Sequence, residues 1–416
     1  MWGIDNGAAA FGVKQAICLM SESNVTIVGA GPSGLTLAWW LLEQGVSVRV
    51  LEQEASIPKD MRASTFHPAT LDLLSTDGLA DTLIERGTVV PCWQFLIHES
   101  GECAVFDMSC LSDVTDHPFR LQCEQFQLTE LLADKLARHP RCELKFDCAL
   151  QSVTSGADKV GIRYDDAGTP KDAECSWLVA ADGASSQVRK TLGLAFAGQV
   201  FPKTSITLVL EHPFEEDIPQ LLGVNYVWLP DRHYSLMRLR DTWRFTYSPE
   251  QDQDAATALS DPVARAHIER VAPRARATNI RSRNYYTLHQ RCLDNFCHGR
   301  ILFVGDAAHL NSPAGGMGMN SGIHDARSLA DHLIPVLEGA DPSLLERYDR
   351  RRRIIALEEV QRLSARNYAR HRETSADKRK IIWQELQDTV NDSIKHREYL
   401  LDAAMIRSRE REHTIE

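Results

Sequence analysis

Gly29, Gly31, Gly34 and Glu52 have the types and the spacing of a dinucleotide site. They lie in residues 25–52, VTIVGAGPSGLTLAWWLLEQGVSVRVLE. There an apolar β-branched run is followed by a helical pattern to Gln44, a break at Gly45 and a second apolar run. That is the order of a βαβ unit. Gly29 permits a tight turn, Gly31 lets the backbone approach a pyrophosphate, and Gly34 lets the helix lie close against the strand. The helix amino terminus then presents unpaired N–H groups and a positive dipole end to the phosphates. Glu52 ends the second strand, where a carboxylate accepts hydrogen bonds from both ribose hydroxyls and repels a 2′-phosphate. The site therefore suits the AMP half of FAD or NAD better than NADP. Residues 25–42 are apolar enough to resemble a membrane span, but the glycines, Pro32 and Ser33 suit a loop instead.

Two further acids stand at the ends of buried strands. Trp177-Leu-Val-Ala-Ala runs into Asp182-Gly183, with Arg189 a few residues on, and Ile301-Leu-Phe-Val runs into Gly305-Asp306. In a doubly wound sheet this is where ligands bind. Asp182-Gly183 reads equally as a turn that caps the helix after it. Beyond Asp306 comes a loop with Pro313, Gly315, Gly316, Gly318, Met319 and Asn320, leading into a helix over residues 320–334. So many glycines beside a helix start mean that backbone, not side chain, approaches a ligand. Asp306 and this loop read as the second anchor of a long cofactor. Arg62, downstream of the first anchor, reads either as a cofactor contact or as a surface arginine.

The elements that must carry these groups follow from periodicity. Helical patterns cover residues 68–74 and 125–136, and strand-like runs cover 143–153, 160–164 and 173–181. Residues 89–118 resemble a hairpin of another sheet, and 200–285 hold four alternating strands that can join it in one antiparallel sheet. Tyr226, Trp228, His233, Tyr234, Trp243 and Phe245 crowd this sheet; most are core, and some could wall a pocket for a flat apolar substrate. From residue 341 the chain is helical and charged, and Arg350, Arg351, Arg352 and Arg353, like Lys378 and Lys380, read as solvated helix faces.

A length of 416 residues allows two domains, and 43% hydrophobic with 25% charged residues is ordinary globular composition. The net charge of -11 argues against a nucleic-acid surface. The 10 cysteines are scattered without metal-ligand spacing, which points to reduced thiols in a cytoplasmic protein. Residues 1–19 lack a basic n-region and read as an appended or disordered leader, with Met20 a natural start.

An NAD-dependent dehydrogenase needs only the first anchor. With all three, the chain resembles the FAD-dependent single-component aromatic hydroxylases, the para-hydroxybenzoate hydroxylase-like flavoprotein monooxygenases. The resemblance implies an α/β fold with three parts. A Rossmann-like FAD-binding domain would take residues 20–88, 121–195 and 285–340. An inserted antiparallel sheet domain for the substrate would take 89–120 and 196–284, and C-terminal helices 341–416.

The resemblance also implies roles. Gly29, Gly31, Ser33, Gly34 and Glu52 would hold the ADP half of FAD, Arg62 would lie near the flavin, and Gln125, with Gln122 close by, near the phosphates or ribityl chain. Asp182, Gly183 and Arg189 match an Asp-Gly motif associated with FAD and nicotinamide binding. Gly305 and Asp306 match a Gly-Asp motif for the ribityl chain, and Pro313, Gly316, Gly318, Met319 and Asn320 the loop passing the isoalloxazine ring. NAD(P)H would reduce the flavin, O2 would add to give a flavin hydroperoxide, and a small aromatic or heteroaromatic substrate would be hydroxylated. No motif maps a substrate-activating residue; His233 and Tyr226 are candidates from sheet position alone. The C-terminal helices would be a cover or a subunit contact in a monomer or homodimer. The alternatives are a related flavoprotein that epoxidises or reduces a non-aromatic substrate, and a flavin-binding protein without hydroxylase activity.

Overall fold

The computed structural model describes residues 24–59, 63–201, 204–250 and 253–416. Arg62 and the proposed leader lie outside the described residues.

The first sheet has six strands in the order Cys297–His298, Ile301–Phe303, Trp177–Ala180, Val25–Val28, Val48–Leu51 and Cys142–Lys145. All pairs are parallel except the edge hairpin of Cys297–His298 with Ile301–Phe303. Its central strands are buried at every position, as expected where both faces are covered. The helix Pro32–Glu43 lies against the helix Gly318–Leu337, and their side chains join the sheet in one core with Leu35, Ile323 and Leu329.

Two of the runs read as single strands each divide between sheets. Residues 143–153 supply Cys142–Lys145 to the main sheet and Cys148–Ser155 to a separate antiparallel meander. The break falls at Asp147, whose φ of +53° no strand accommodates. Residues 173–181 divide likewise into Thr169–Cys175 and Trp177–Ala180.

The second large sheet has seven strands in the order Ile280–Tyr286, Ser205–Leu210, Trp243–Tyr247, His233–Arg238, Val224–Trp228, Cys92–Ile97 and Cys103–Asp107. The early hairpin does join the later strands. Pairing is antiparallel throughout except where Cys92–Ile97 meets Val224–Trp228. One apolar cluster packs this sheet on the helix Asp261–Val271. The other joins Trp93, Phe95 and Val224 to Met317 and to Leu363, Leu386 and Leu400 of the C-terminal helices. Those helices cover the sheet face next to the loop 313–317.

The arginine run corrects the expectation of a solvated face. Arg352 is 0% exposed and lies between Asp325 and Glu412, each 2.7 Å away. It shares a helix face with Tyr348 and Ile355, at helical spacing, and that face points inward. No helix among the described residues is long and apolar enough to cross a membrane.

Candidate functional site

The first turn is fixed by close backbone approach. Gly29 has φ +107°, and a Cβ there would stand 2.3 Å from the Ala181 carbonyl oxygen; at Gly34 it would stand 2.1 Å from that of Gly29. Only glycine fits either place. Gly31 differs: a Cβ there would meet nothing within 4 Å. Its backbone is extended, and no side chain caps the helix Pro32–Glu43 that follows. An open glycine and uncapped N–H groups together face a space that backbone, not side chains, defines.

Glu52 holds the turn from the neighbouring strand. One carboxylate oxygen accepts from Ala30 N at 2.7 Å and the other from Glu54 N at 3.0 Å. Each oxygen keeps acceptor capacity for a further donor.

Ser33 brings the distant second anchor to the first. Its hydroxyl would lie 2.6 Å from a Cβ on Gly305 and 2.3 Å from one on Gly322, so side chains at either glycine would push the two turns apart. Gly305 N donates to Asp325 Oδ2 at 3.0 Å, leaving Asp306 exposed. Burial would raise the Asp325 carboxyl, but His309 and Arg352, both 2.7 Å away, outweigh it and hold the group well below the ordinary range.

Asp182 behaves as a cap. Its Oδ2 accepts from Gln187 N at 2.6 Å and Val188 N at 3.1 Å, while Oδ1 is buried with no hydrogen-bond partner. Burial raises its carboxyl above the usual value. Gly183 follows with φ +72°. Arg189 turns inward, donates to Ala307 O at 3.0 Å and Ala184 O at 2.6 Å, and braces the Gly305 turn against residues 183–186.

The loop after Asp306 is tied to the segment around Thr65. Asn320 Oδ1 accepts from His67 N at 3.0 Å, and its Nδ2 donates to Thr65 O at 2.8 Å and Gly316 O at 2.7 Å. Pro313 O accepts from Gly316 N, and His67 Nε2 pairs with Gly315 O at 2.8 Å. The helix Gly318–Leu337, with Met319 in its first turn, also starts without a side-chain cap. Gln125 opens the helix Gln125–Ala137 and donates its backbone N–H to Ala63 O. Gln122 lies inside a small sheet with Oε1 accepting from Thr65 Oγ1 and Nε2 unpartnered.

On the other side of residues 314–317 is a narrow aromatic cavity of about 20 Å³, the room of roughly one water molecule. The seven-stranded sheet lines it with Trp93, Phe95 and Tyr226, and the C-terminal helices with Asn367, His371 and Tyr399. Tyr226 packs against His371 with ring centroids 5.2 Å apart, and against Phe95 at 5.3 Å. Burial pushes His371 down to about 3, so its ring is neutral near pH 7. Of the two side chains chosen from sheet position, Tyr226 lines this cavity. His233 does not reach it; it lies behind His371, ring centroids 4.6 Å apart, because its strand points that residue toward the helix Arg362–Arg372. Asn367, His371 and Tyr399 were not singled out in the sequence, although Asn367 and His371 are four residues apart on one helix face.

Comparison with known proteins places the chain in a family. Residues 22–363 match the family described as FAD binding domain. Para-nitrophenol 4-monooxygenase of a Pseudomonas species is 29% identical over 390 residues, covering 92% of this chain and 96% of that one. A 6-hydroxy-3-succinoylpyridine 3-monooxygenase of Pseudomonas putida is 28% identical, covering 81% and 86%. The crystal structure of p-nitrophenol 4-monooxygenase from Pseudomonas putida superposes with a TM-score of 0.87 at 28% identity, covering 92% of this chain and 97% of that chain. Anhydrotetracycline hydroxylase from Streptomyces rimosus superposes at 0.77 with 26% identity, covering 92% and 75%. The chain belongs to the FAD binding domain family and, within it, to the flavin-dependent aromatic monooxygenases.

Proposed function

We propose that this protein consumes NAD(P)H and O2 to hydroxylate a small phenol or hydroxypyridine held between the seven-stranded sheet and the C-terminal helices. The observation that carries the reading is the shared loop. Gly315 and Met317 line the aromatic cavity, and the same loop leads into the uncapped helix Gly318–Leu337, so a ring in the cavity lies beside the cofactor cleft.

The residues present fit FAD. Gly31 would admit the pyrophosphate, Glu52 the ribose of the adenosine half, and Asp306 the ribityl chain. When bound, FAD supplies the redox chemistry: two electrons from NAD(P)H, activation of O2, one oxygen atom to the ring and the other to water. The chain's own groups do the rest. Trp93, Phe95 and Tyr226 would flank a flat ring and exclude water once the cavity, about 20 Å³ here, opens to admit it. The positive end of the helix Gly318–Leu337 favours negative charge on a group at its start. The named activities of the two Pseudomonas relatives, on a nitrophenol and a hydroxypyridine, support this substrate class.

The test is anaerobic reduction of the FAD-bound protein by NADH and by NADPH, with and without phenols and hydroxypyridines, followed by O2. Faster flavin reduction with one ring class, and a hydroxylated product after O2, is the expected result. Flavin that neither nicotinamide reduces with any ring present would overturn the reading and favour a flavin-binding protein without hydroxylase activity.

A further inference from the structure

The aromatic cavity contains a charge that no carboxylate among the described residues pairs with. Arg120 begins the strand Arg120–Gln122, is only 3% exposed, and lines the cavity together with Trp93, Tyr226 and Gly315. Its guanidinium stands 4.3 Å from the centroid of the Trp93 ring. Its Nε is buried with no hydrogen-bond partner, and among the described residues no carboxylate forms an ion pair with it. No Asp or Glu lines the cavity.

The neighbouring titratable groups do not supply the missing charge. Burial pushes His67 down to about 3, with the Arg120 charge adding to the effect, and burial holds His371 down to about 3, with the Arg372 and Arg379 charges adding to it. Both rings are neutral near pH 7, leaving Arg120 as the permanent charge among the groups lining the cavity. A buried guanidinium is ordinarily paired, because desolvation without a counter-ion is unfavourable. The face of Trp93 offsets part of that cost. An anion entering the cavity would offset the remainder, and a guanidinium suits a planar oxyanion through paired N–H donors.

We infer that Arg120 is the anion-recognising residue of this cavity, selecting an aromatic substrate bound as a phenolate or ring carboxylate over its neutral analogue. The inference rests on the monooxygenase reading for the identity of the cavity's ligand. It adds that ligand's charge.

The experiment is equilibrium dialysis of two probes, 4-nitrophenolate at a pH where it is ionised and its neutral methyl ether 4-nitroanisole. The FAD-bound wild type is compared with R120K and R120M, without NAD(P)H. In R120M the nitrophenolate should bind at least ~30-fold more weakly while the ether changes by less than ~3-fold, with R120K between, as expected when one partner of a buried charged contact is removed. The ligand-free melting temperature of R120M should equal or exceed that of wild type, since no counter-ion is left stranded. Equal weakening of both probes, a large fall in melting temperature, or loss of FAD in place of nitrophenolate would each overturn the assignment. The two readings fail separately. A protein that oxygenates phenols yet binds the ether as well as the phenolate keeps its activity and loses the Arg120 role; one that binds nitrophenolate through Arg120 and never oxygenates a ring does the reverse.

Discussion

Around Gly29 the protein is shaped by what its residues lack, and around Arg120 by what they carry. In the cofactor cleft, glycines let main-chain atoms come within contact of one another, and two helices start without side-chain caps. In the aromatic cavity, rings from the sheet and from helices far along the chain meet around a buried guanidinium. The two regions share the loop 314–317. Main-chain geometry suits a ligand common to many proteins, whereas the charge and shape of a particular substrate must come from side chains.

The most severe test of this comparison removes the support behind the cleft and touches neither site. Arg352→Met would leave Glu412 without its cation and Asp325 with His309 alone, and should destabilise the protein by about 3–5 kcal/mol in urea unfolding, the usual cost of breaking a buried pair from one side. A loss below ~1 kcal/mol would mean that the bridge does not hold the cleft in shape.

Next in size is a substitution that should act on the cofactor alone. Gly31 is extended and open, so Gly31→Val should leave apoprotein stability within ~0.5 kcal/mol of wild type. FAD affinity should fall about 100-fold, close to 2.8 kcal/mol. Unchanged FAD binding by fluorescence titration would show that the pyrophosphate does not pass Gly31. The smallest effect is expected on the other side of the loop. Tyr226→Phe removes one hydroxyl from the cavity wall and should change affinity for aromatic ligands by less than ~1.4 kcal/mol, tenfold, with FAD affinity intact. A parallel loss of FAD would erase the distinction between the two regions.

Backbone turns and side-chain cavities also differ in how far the sequence reveals them. Glycine spacing and acids at strand ends leave a local signature, and the βαβ unit, the parallel sheet and the Gly305 turn were legible from it. The capping by Asp182 was one of the two readings its Asp-Gly pair allows, whereas the inward turn of Arg189 depends on backbone carbonyls that no residue type reveals. The cavity left a fainter mark, with Tyr226 alone legible among the aromatic residues crowding the sheet. Trp93, Tyr226, His371 and Tyr399 are ordinary core types, and only the packing of the C-terminal helices on the sheet brings them together. Arg352 was hidden among four consecutive arginines, and its alignment with Leu345, Tyr348 and Ile355 is what separates it from the others. Arg120 lies between Phe119 and Leu121 at the start of a short strand, and a lone charge between apolar neighbours is its one local signal.

The bridge through Arg352 has a further meaning for the helix Ile406–Thr414. Gly305 N is held by Asp325, Asp325 by Arg352, and Arg352 by Glu412 on that helix. Fraying that helix would uncover an acid whose cation is already committed elsewhere, so its opening cannot remain a local event. By reciprocity, whatever tightens the turn before Asp306 also raises the free energy of undoing the helix. The segment Ile406–Thr414 thus belongs, thermodynamically, to the cofactor cleft it never touches.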